Sequence, residues 1–99
     1  MKTAYCDITP FTTKDGSTIR ELMHPDQGMN RNQSLAEAVV EPGAAIRLHR
    51  HRLSEELYHI TAGVGRMTLG AEIFEVAPGD TVCIPPGTAH CIENTGREP

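Results

Sequence analysis

The chain has 99 residues, which allows one domain with a modest hydrophobic core. Its net charge of -4 and the absence of a basic cluster argue against a phosphate-backbone partner, so we expect no nucleic-acid binding. No stretch reaches transmembrane length, and the N-terminus lacks the apolar segment of a secretory signal. We therefore expect a cytoplasmic protein with no membrane partner.

The first 33 residues are weakly patterned. Residues 9–22 predict a strand, a turn at Asp15-Gly16 and a second strand. Residues 23–33 read as a polar loop that either forms a rim over a binding pocket or only connects two strands. His24 lies in that loop, where we expect it to be solvated.

Short strand-like segments separated by turn signals occupy the rest of the chain. Several short strands at regular spacing predict an all-β sandwich or barrel. Residues 34–40 also suit a helical turn by propensity, but their length and the Pro-Gly pair that follows favour a strand. The predicted strands are residues 34–41, 45–51, 56–61, 66–69, 73–76, 81–85 and 90–94.

Four turn signals punctuate these strands. Proline fixes φ at the second position of a type II turn, and glycine supplies the positive φ of the third. In residues 69–72, Gly70 suits the first central position of a II′ hairpin. The three Pro-Gly pairs are Pro42-Gly43, Pro78-Gly79 and Pro86-Gly87.

Three histidines and one glutamate have spacings that suit a metal site. Residues i and i+2 of a strand share a face, so His49 and His51 can bind one ion through their imidazoles. Glu56 opens the next predicted strand, and His90 follows the last Pro-Gly turn. A His-x-His pair alone also fits a solvated strand face. The choice between that interpretation and a metal site therefore depends on the spacing of the residues around the pair.

Two patterns of fixed spacing contain these four residues. The first spans residues 43–63, the second spans residues 79–94, and 15 residues separate them. They match the two signature motifs of the cupin superfamily at every fixed position, and the chain resembles a small cupin of the mannose-6-phosphate-isomerase-like group. The fixed positions are Gly43, His49, His51, Glu56, Gly63, Gly79, Pro85, Gly87, His90 and Asn94.

This resemblance implies a fold and a metal site. The fold would be a small antiparallel jelly-roll β-barrel, with residues 1–99 forming a single cupin domain. The matching metal ligands are His49, His51, Glu56 and His90, while Glu55 should point out of the barrel. They would hold one divalent transition metal, which could be Fe, Mn, Ni, Co or Zn.

Other residues near the motifs have two interpretations each. Tyr58 has the strand parity of Glu56, so it either offers a hydroxyl to the pocket or packs in the barrel wall. Arg47 either clamps an anionic substrate or extends to water, and we favour the latter. His59 has the opposite parity and should lie on an outer surface or at a subunit contact. The cysteines, expected to be reduced packing residues, are Cys6, Cys83 and Cys91.

Three functions are compatible with this site. The first is an isomerase-like or lyase-like enzyme whose metal acts as a Lewis acid on a small sugar, sugar acid or keto compound. Glu56 and Tyr58 would be its catalytic residues and would move protons. The second is a non-haem Fe(II) dioxygenase, and the third is a non-catalytic cupin that binds a small ligand.

Cupins commonly continue into a further strand after the asparagine of the second motif. Here five residues follow Asn94. Either the sequence is part of a longer chain, or another subunit completes the sheet. Because open sheet edges invite pairing, we expect a homodimer.

Overall fold

The computed structural model describes residues 2–28, 30–49 and 54–99, without the side chains of residues 47–49. Its elements are antiparallel β-strands and two 3-10 helices of three residues each, which confirms the all-β prediction. The chain divides into two compact units, Met1–Val39 and Val40–Pro99. The prediction of a single domain stays a prediction. Within the described ranges, no helix is both long enough and apolar enough to cross a membrane.

The N-terminal unit contains a three-stranded antiparallel sheet in the order β1-β2-β3. The predicted turn between its first two strands is present, and Gly16 there has φ +87°. The predicted polar loop contains a short 3-10 helix, Pro25–Gln27, and the ring of His24 accepts a hydrogen bond from the Asp26 N–H at 3.0 Å. His24 therefore caps this helix. The strands are β1 (Phe11–Thr12), β2 (Thr18–Met23) and β3 (Leu35–Val39).

The C-terminal unit contains two antiparallel sheets, in the orders β4-β9-β6-β7 and β5-β8. The observed strands lie within one or two residues of the predictions wherever both ends are described. β8 ends one residue early because Pro85 lacks an N–H and opens the next turn. The strands are β4 (Ala45–His49), β5 (Glu56–His59), β6 (Gly65–Leu69), β7 (Glu72–Val76), β8 (Thr81–Ile84) and β9 (His90–Asn94).

All four predicted turns of this unit are confirmed. The glycines of the three Pro-Gly pairs have φ of +80°, +95° and +77°. Gly70 has φ +58° and Ala71 has a negative φ, which is the sign pattern of a II′ turn. The closing N–H to carbonyl bonds of the Pro-Gly turns are Ala44 to Glu41 (2.9 Å), Asp80 to Ala77 (3.0 Å) and Thr88 to Pro85 (3.3 Å).

The buried hydrophobic residues of the described chain all belong to the C-terminal unit. They alternate with exposed residues along β6, β7 and β8, as expected for strands with one buried face. Their neighbours on the same face are only partly buried, so the core is small. The core residues are Met67, Val76, Val82 and Ile84, and the residues packed against them are Tyr58, Ile60, Leu69, Phe74 and Ile92.

Candidate metal centre

His90 is a fully buried imidazole at the start of β9. Its Nδ1 lies 3.1 Å from the carbonyl oxygen of Thr88, on the turn that precedes the strand. Because a carbonyl oxygen can only accept, Nδ1 carries a proton and donates it to this bond. In the neutral ring the lone pair is therefore on Nε2. Metal-ligating histidines commonly use this arrangement, in which a backbone carbonyl fixes the tautomer and ring orientation.

Glu56 opens β5 and faces the Nε2 side of this ring. Its Oε2 lies 4.0 Å from Nε2 of His90, and its side chain is 29% exposed. Two metal–ligand bonds of about 2.1 Å can span at most about 4.2 Å, so Oε2 of Glu56 and Nε2 of His90 are close enough to coordinate one cation. Glu55 is exposed and lies 4.0 Å from the thiol of Cys83, as predicted for the glutamate on the outward face.

Tyr58 lies on the same face of β5 as Glu56, because burial alternates along this strand. Its ring meets the His90 ring edge to face, with centroids 5.8 Å apart and planes at 80°. Burial, and then the adjacent negative charge of Glu56, raise the pKa of the Tyr58 hydroxyl far above its usual range. The hydroxyl therefore stays protonated and donates a hydrogen bond to Glu56.

The backbone of His49 lies opposite His90 in the register of β4 and β9. Paired positions of an antiparallel ladder belong to the same face of the sheet. The side chains of His49 and Arg47, and the whole of His51, lie outside the described part of the structure. Among the side chains that are described, no three His, Cys, Asp or Glu residues form a group that could hold a metal. The four-ligand set therefore stays a prediction.

Sequence reasoning missed the groups that support these side chains. Thr88 contributes a backbone carbonyl, and the only signal for it is its position between a Pro-Gly turn and a histidine. The cross-strand neighbours of the candidate residues carry no local signal, because register depends on the assembled sheets. These neighbours are Leu69 opposite His90, Ile84 opposite Glu56 and Val82 opposite Tyr58.

Two further predictions concern residues away from the centre. His59 is exposed, as predicted, and its Nδ1 lies 2.7 Å from the hydroxyl of Thr81. The prediction of cysteines as packing residues is wrong for Cys6 and Cys83, which are exposed thiols. Cys83 occupies an outward position of β8, where every second residue is exposed.

The sequence and the fold together define the class of protein. The family model for the cupin domain, Cupin_2, matches residues 36–99, which include the whole C-terminal unit. The chain therefore belongs to the cupin family. It is also 54% identical over all its 99 residues to an uncharacterised protein of Methanocaldococcus jannaschii, 79% of which is covered.

Solved structures with similar folds include oxalate decarboxylases. A predicted oxalate decarboxylase from Thermotoga maritima superposes with a TM-score of 0.88 at 25% identity, over 99% of this chain and 90% of that one. Bacillus subtilis oxalate decarboxylase, in a structure described by its Mn(II) centres, has a TM-score of 0.83 at 25% identity. That match covers 99% of this chain and 27% of the longer enzyme.

Proposed function

We propose that this cupin is a metal-dependent enzyme that acts on a small sugar, sugar acid or keto compound in an isomerase-like or lyase-like reaction. His49, His51, Glu56 and His90 would bind one divalent transition metal. The observation that carries the proposal is the buried His90, whose Nδ1 donates to a backbone carbonyl and whose Nε2 faces the Glu56 carboxylate at 4.0 Å. Similarity to a decarboxylase with Mn(II) centres supports it further.

The donor set fits a divalent transition metal. Imidazole nitrogen and carboxylate oxygen together suit Fe, Mn, Ni, Co and Zn. Three neutral imidazoles and one carboxylate would leave a net charge of about +1, which favours an anionic or strongly polar substrate oxygen. When bound, the cation would supply Lewis acidity that polarises a carbonyl or hydroxyl group of the substrate.

Glu56 would transfer the proton, and the Tyr58 hydroxyl would assist this transfer as a hydrogen-bond donor. A carboxylate has two oxygens, so Glu56 can bind the cation with one and accept a substrate proton with the other. Tyr58 keeps its proton and would donate a hydrogen bond to Glu56 or to a substrate oxygen. Its ring packs against the ring of His90 and thereby holds the hydroxyl beside the carboxylate.

Metal analysis of tag-free protein, purified without chelator, tests the proposed ligands. We expect about one transition metal per chain in the wild type and a large loss in His51→Ala and His90→Ala. His59→Ala is the matched control, because that histidine is exposed and bonded to Thr81. Circular dichroism checks the folding of the His90 variant. Full metal content in both ligand variants, or no metal uptake by the wild type, would contradict the proposed site.

Oxygen consumption separates the proposed chemistry from that of a dioxygenase. With the native metal bound, turnover of a sugar or keto substrate should continue under anaerobic conditions. Glu56→Gln should lower that turnover by about 10²–10⁴-fold, because the amide cannot accept the substrate proton, and Tyr58→Phe should lower it to a smaller extent, because a hydrogen-bond donor is lost. If substrate is consumed only when oxygen is present, and oxygen is taken up in matching amount, the proposal is wrong and the protein is a dioxygenase.

A further inference from the structure

One backbone hydrogen bond connects the hairpin between β6 and β7 to the segment that carries His90. The ladder between β6 and β9 ends with Leu69 opposite His90. One position beyond that pair, the Gly70 N–H donates to the carbonyl oxygen of Ala89 at 2.9 Å. The hairpin therefore holds the residue that precedes His90, although Ala89 lies outside β9.

The same segment sets the orientation of the His90 ring. Nδ1 of His90 lies 3.1 Å from the carbonyl oxygen of Thr88. The carbonyls of Thr88 and Ala89 belong to two consecutive peptide planes, which are joined at the Cα of Ala89. A bond that fixes the Ala89 carbonyl therefore also restricts the direction of the Thr88 carbonyl.

The Pro-Gly turn before this segment is a weaker anchor. Its closing bond, from the Thr88 N–H to the Pro85 carbonyl oxygen, is 3.3 Å long, whereas the bond from Gly70 to Ala89 is 2.9 Å long. Hydrogen bonds from N–H to oxygen are most common at about 2.9–3.0 Å. The bond from Gly70 is thus the better of these two anchors.

The backbone conformation at position 70 requires glycine. Gly70 has φ +58° at the first central position of its II′ turn, a conformation that other residues rarely adopt. A Cβ atom at this position would meet Cγ2 of Thr88 at 3.8 Å, which is an ordinary contact. A side chain here would therefore strain the turn that directs the Gly70 N–H toward Ala89, without colliding with Thr88.

We propose that Gly70 is a positioning residue for His90, an inference that rests on the proposed metal-dependent function. Its N–H holds the Ala89 carbonyl and thereby keeps the Thr88 carbonyl on Nδ1 of His90. A neutral ring with its proton on Nδ1 presents the lone pair of Nε2, and Nε2 faces Glu56. If the Thr88 carbonyl turned away, the proton could move to Nε2 and block the nitrogen that would bind the cation.

Two changes at position 70 test the inference. Gly70→Ala strains the turn, while glycolic acid in place of Gly70, introduced by chemical synthesis of the chain, replaces the N–H by an ester oxygen without adding a side chain. NMR of the ring nitrogens in metal-free protein reports which nitrogen of His90 carries the proton, and His90→Ala assigns the signals. We expect protonated Nδ1 in the wild type and a mixture of both tautomers in the two variants.

Isothermal titration calorimetry on the same samples measures metal affinity. Mn(II), Fe(II), Co(II), Ni(II) and Zn(II) are titrated in turn, with Fe(II) under argon. Both variants should bind the cation about 10–100-fold more weakly than the wild type, the usual cost of losing a group that orients a ligand. Gly16→Ala is the matched control, because Gly16 also has a positive φ, +87°, but lies in the turn between β1 and β2. It should keep the wild-type tautomer and affinity.

Circular dichroism checks that each variant folds. A wild-type tautomer or a wild-type metal affinity in both Gly70 variants would overturn the inference. An equal loss of affinity in Gly16→Ala would also overturn it, because strain in any turn would then have the same effect. If the wild type binds none of the five cations, the proposed metal-dependent function is wrong. The ring tautomer, measured without metal, then decides alone whether Gly70 positions His90.

Discussion

The two units of this chain differ in the interactions that stabilise each of them internally. In the N-terminal unit, none of the described hydrophobic residues is fully buried, and the contacts beyond the backbone ladder are largely polar. Tyr5 donates a 2.6 Å hydrogen bond to Glu37, and Arg20 lies over the Tyr5 ring and 3.5 Å from the same carboxylate. The C-terminal unit instead has a core, with Met67 completely buried.

This difference indicates where the chain is sensitive to change. Truncating a buried aliphatic side chain removes hydrophobic transfer free energy and leaves a cavity, at a cost of about 2–5 kcal/mol. An exposed ion pair contributes at most about 1 kcal/mol, because solvent screens it. The same type of substitution should therefore have unequal effects in the two units.

Methionine truncation gives the largest expected contrast. Met67→Ala should lower the free energy of unfolding by about 2–5 kcal/mol, because it empties a fully buried position. Met23→Ala, on β2 of the N-terminal unit, should cost clearly less, because Met23 is only partly buried. Urea unfolding followed by circular dichroism measures both losses. Equal losses would show that the N-terminal unit depends on apolar burial as much as the C-terminal unit does.

Asn94 gives the next largest contrast, between a long-range polar contact and a local one. Its buried side-chain amide donates to the carbonyl oxygens of Val40 and Glu98, both at 2.7 Å, and its Oδ1 accepts from the Gly96 N–H at 2.8 Å. It therefore joins the beginning and the end of the C-terminal unit. Asn94→Ala should cost about 1–3 kcal/mol, because buried backbone groups lose their partners.

Asn94→Asp sharpens this prediction. A carboxylate keeps the acceptor for the Gly96 N–H but faces two carbonyl oxygens that can only accept. Above the pKa of the new carboxyl group, Asn94→Asp should therefore lower the stability at least as much as Asn94→Ala. Asn30→Ala is the control in the N-terminal unit, where the amide bonds to Gln33 three residues away. Thermal unfolding at neutral pH compares the three variants. If Asn30→Ala lowers thermal stability as much as Asn94→Ala does, the long-range polar contact is no more important than the local one.

The sequence predicted the locally determined features of the C-terminal unit well. Pro-Gly turns could be predicted because φ is set by the residues themselves, and Gly43 and Gly87 adopt the expected positive values. Strand alternation correctly placed Glu56 and Tyr58 on one face, and the motif spacing correctly placed Glu55 on the other. Fixed motif spacing identified the family, whose model matches residues 36–99.

Features that depend on contacts between distant segments could not be predicted. Nothing local indicates that β9 lies between β4 and β6, or that Leu69 is opposite His90. The hydrogen bond from Tyr5 to Glu37 joins residues 32 positions apart, without any motif. Strand order, register and long-range hydrogen bonds depend on how all the strands pack together, so they cannot be read from any one segment of the sequence.

The Tyr5–Glu37 contact gives the smallest expected effect and the most specific test of the polar N-terminal unit. The hydrogen bond to the Glu37 carboxylate is the main cause that raises the pKa of Tyr5 above its usual value near 10. The folded state thus binds the phenolic proton more tightly than the unfolded state does. The resulting stability is present below the unfolded pKa and is lost as pH rises through the folded pKa.

Glu37→Gln should lower the pKa of Tyr5 toward its usual value, because a neutral amide replaces the carboxylate acceptor. The chain has two tyrosines and no tryptophan, so in a Tyr58→Phe background the phenolate absorbance reports Tyr5 alone. Glu41→Gln, an exposed change at a residue outside this contact, serves as the control. If the pKa of Tyr5 does not change in Glu37→Gln, the hydrogen bond does not persist in solution, and the N-terminal unit is then held mainly by its backbone ladder and by its partly buried side chains.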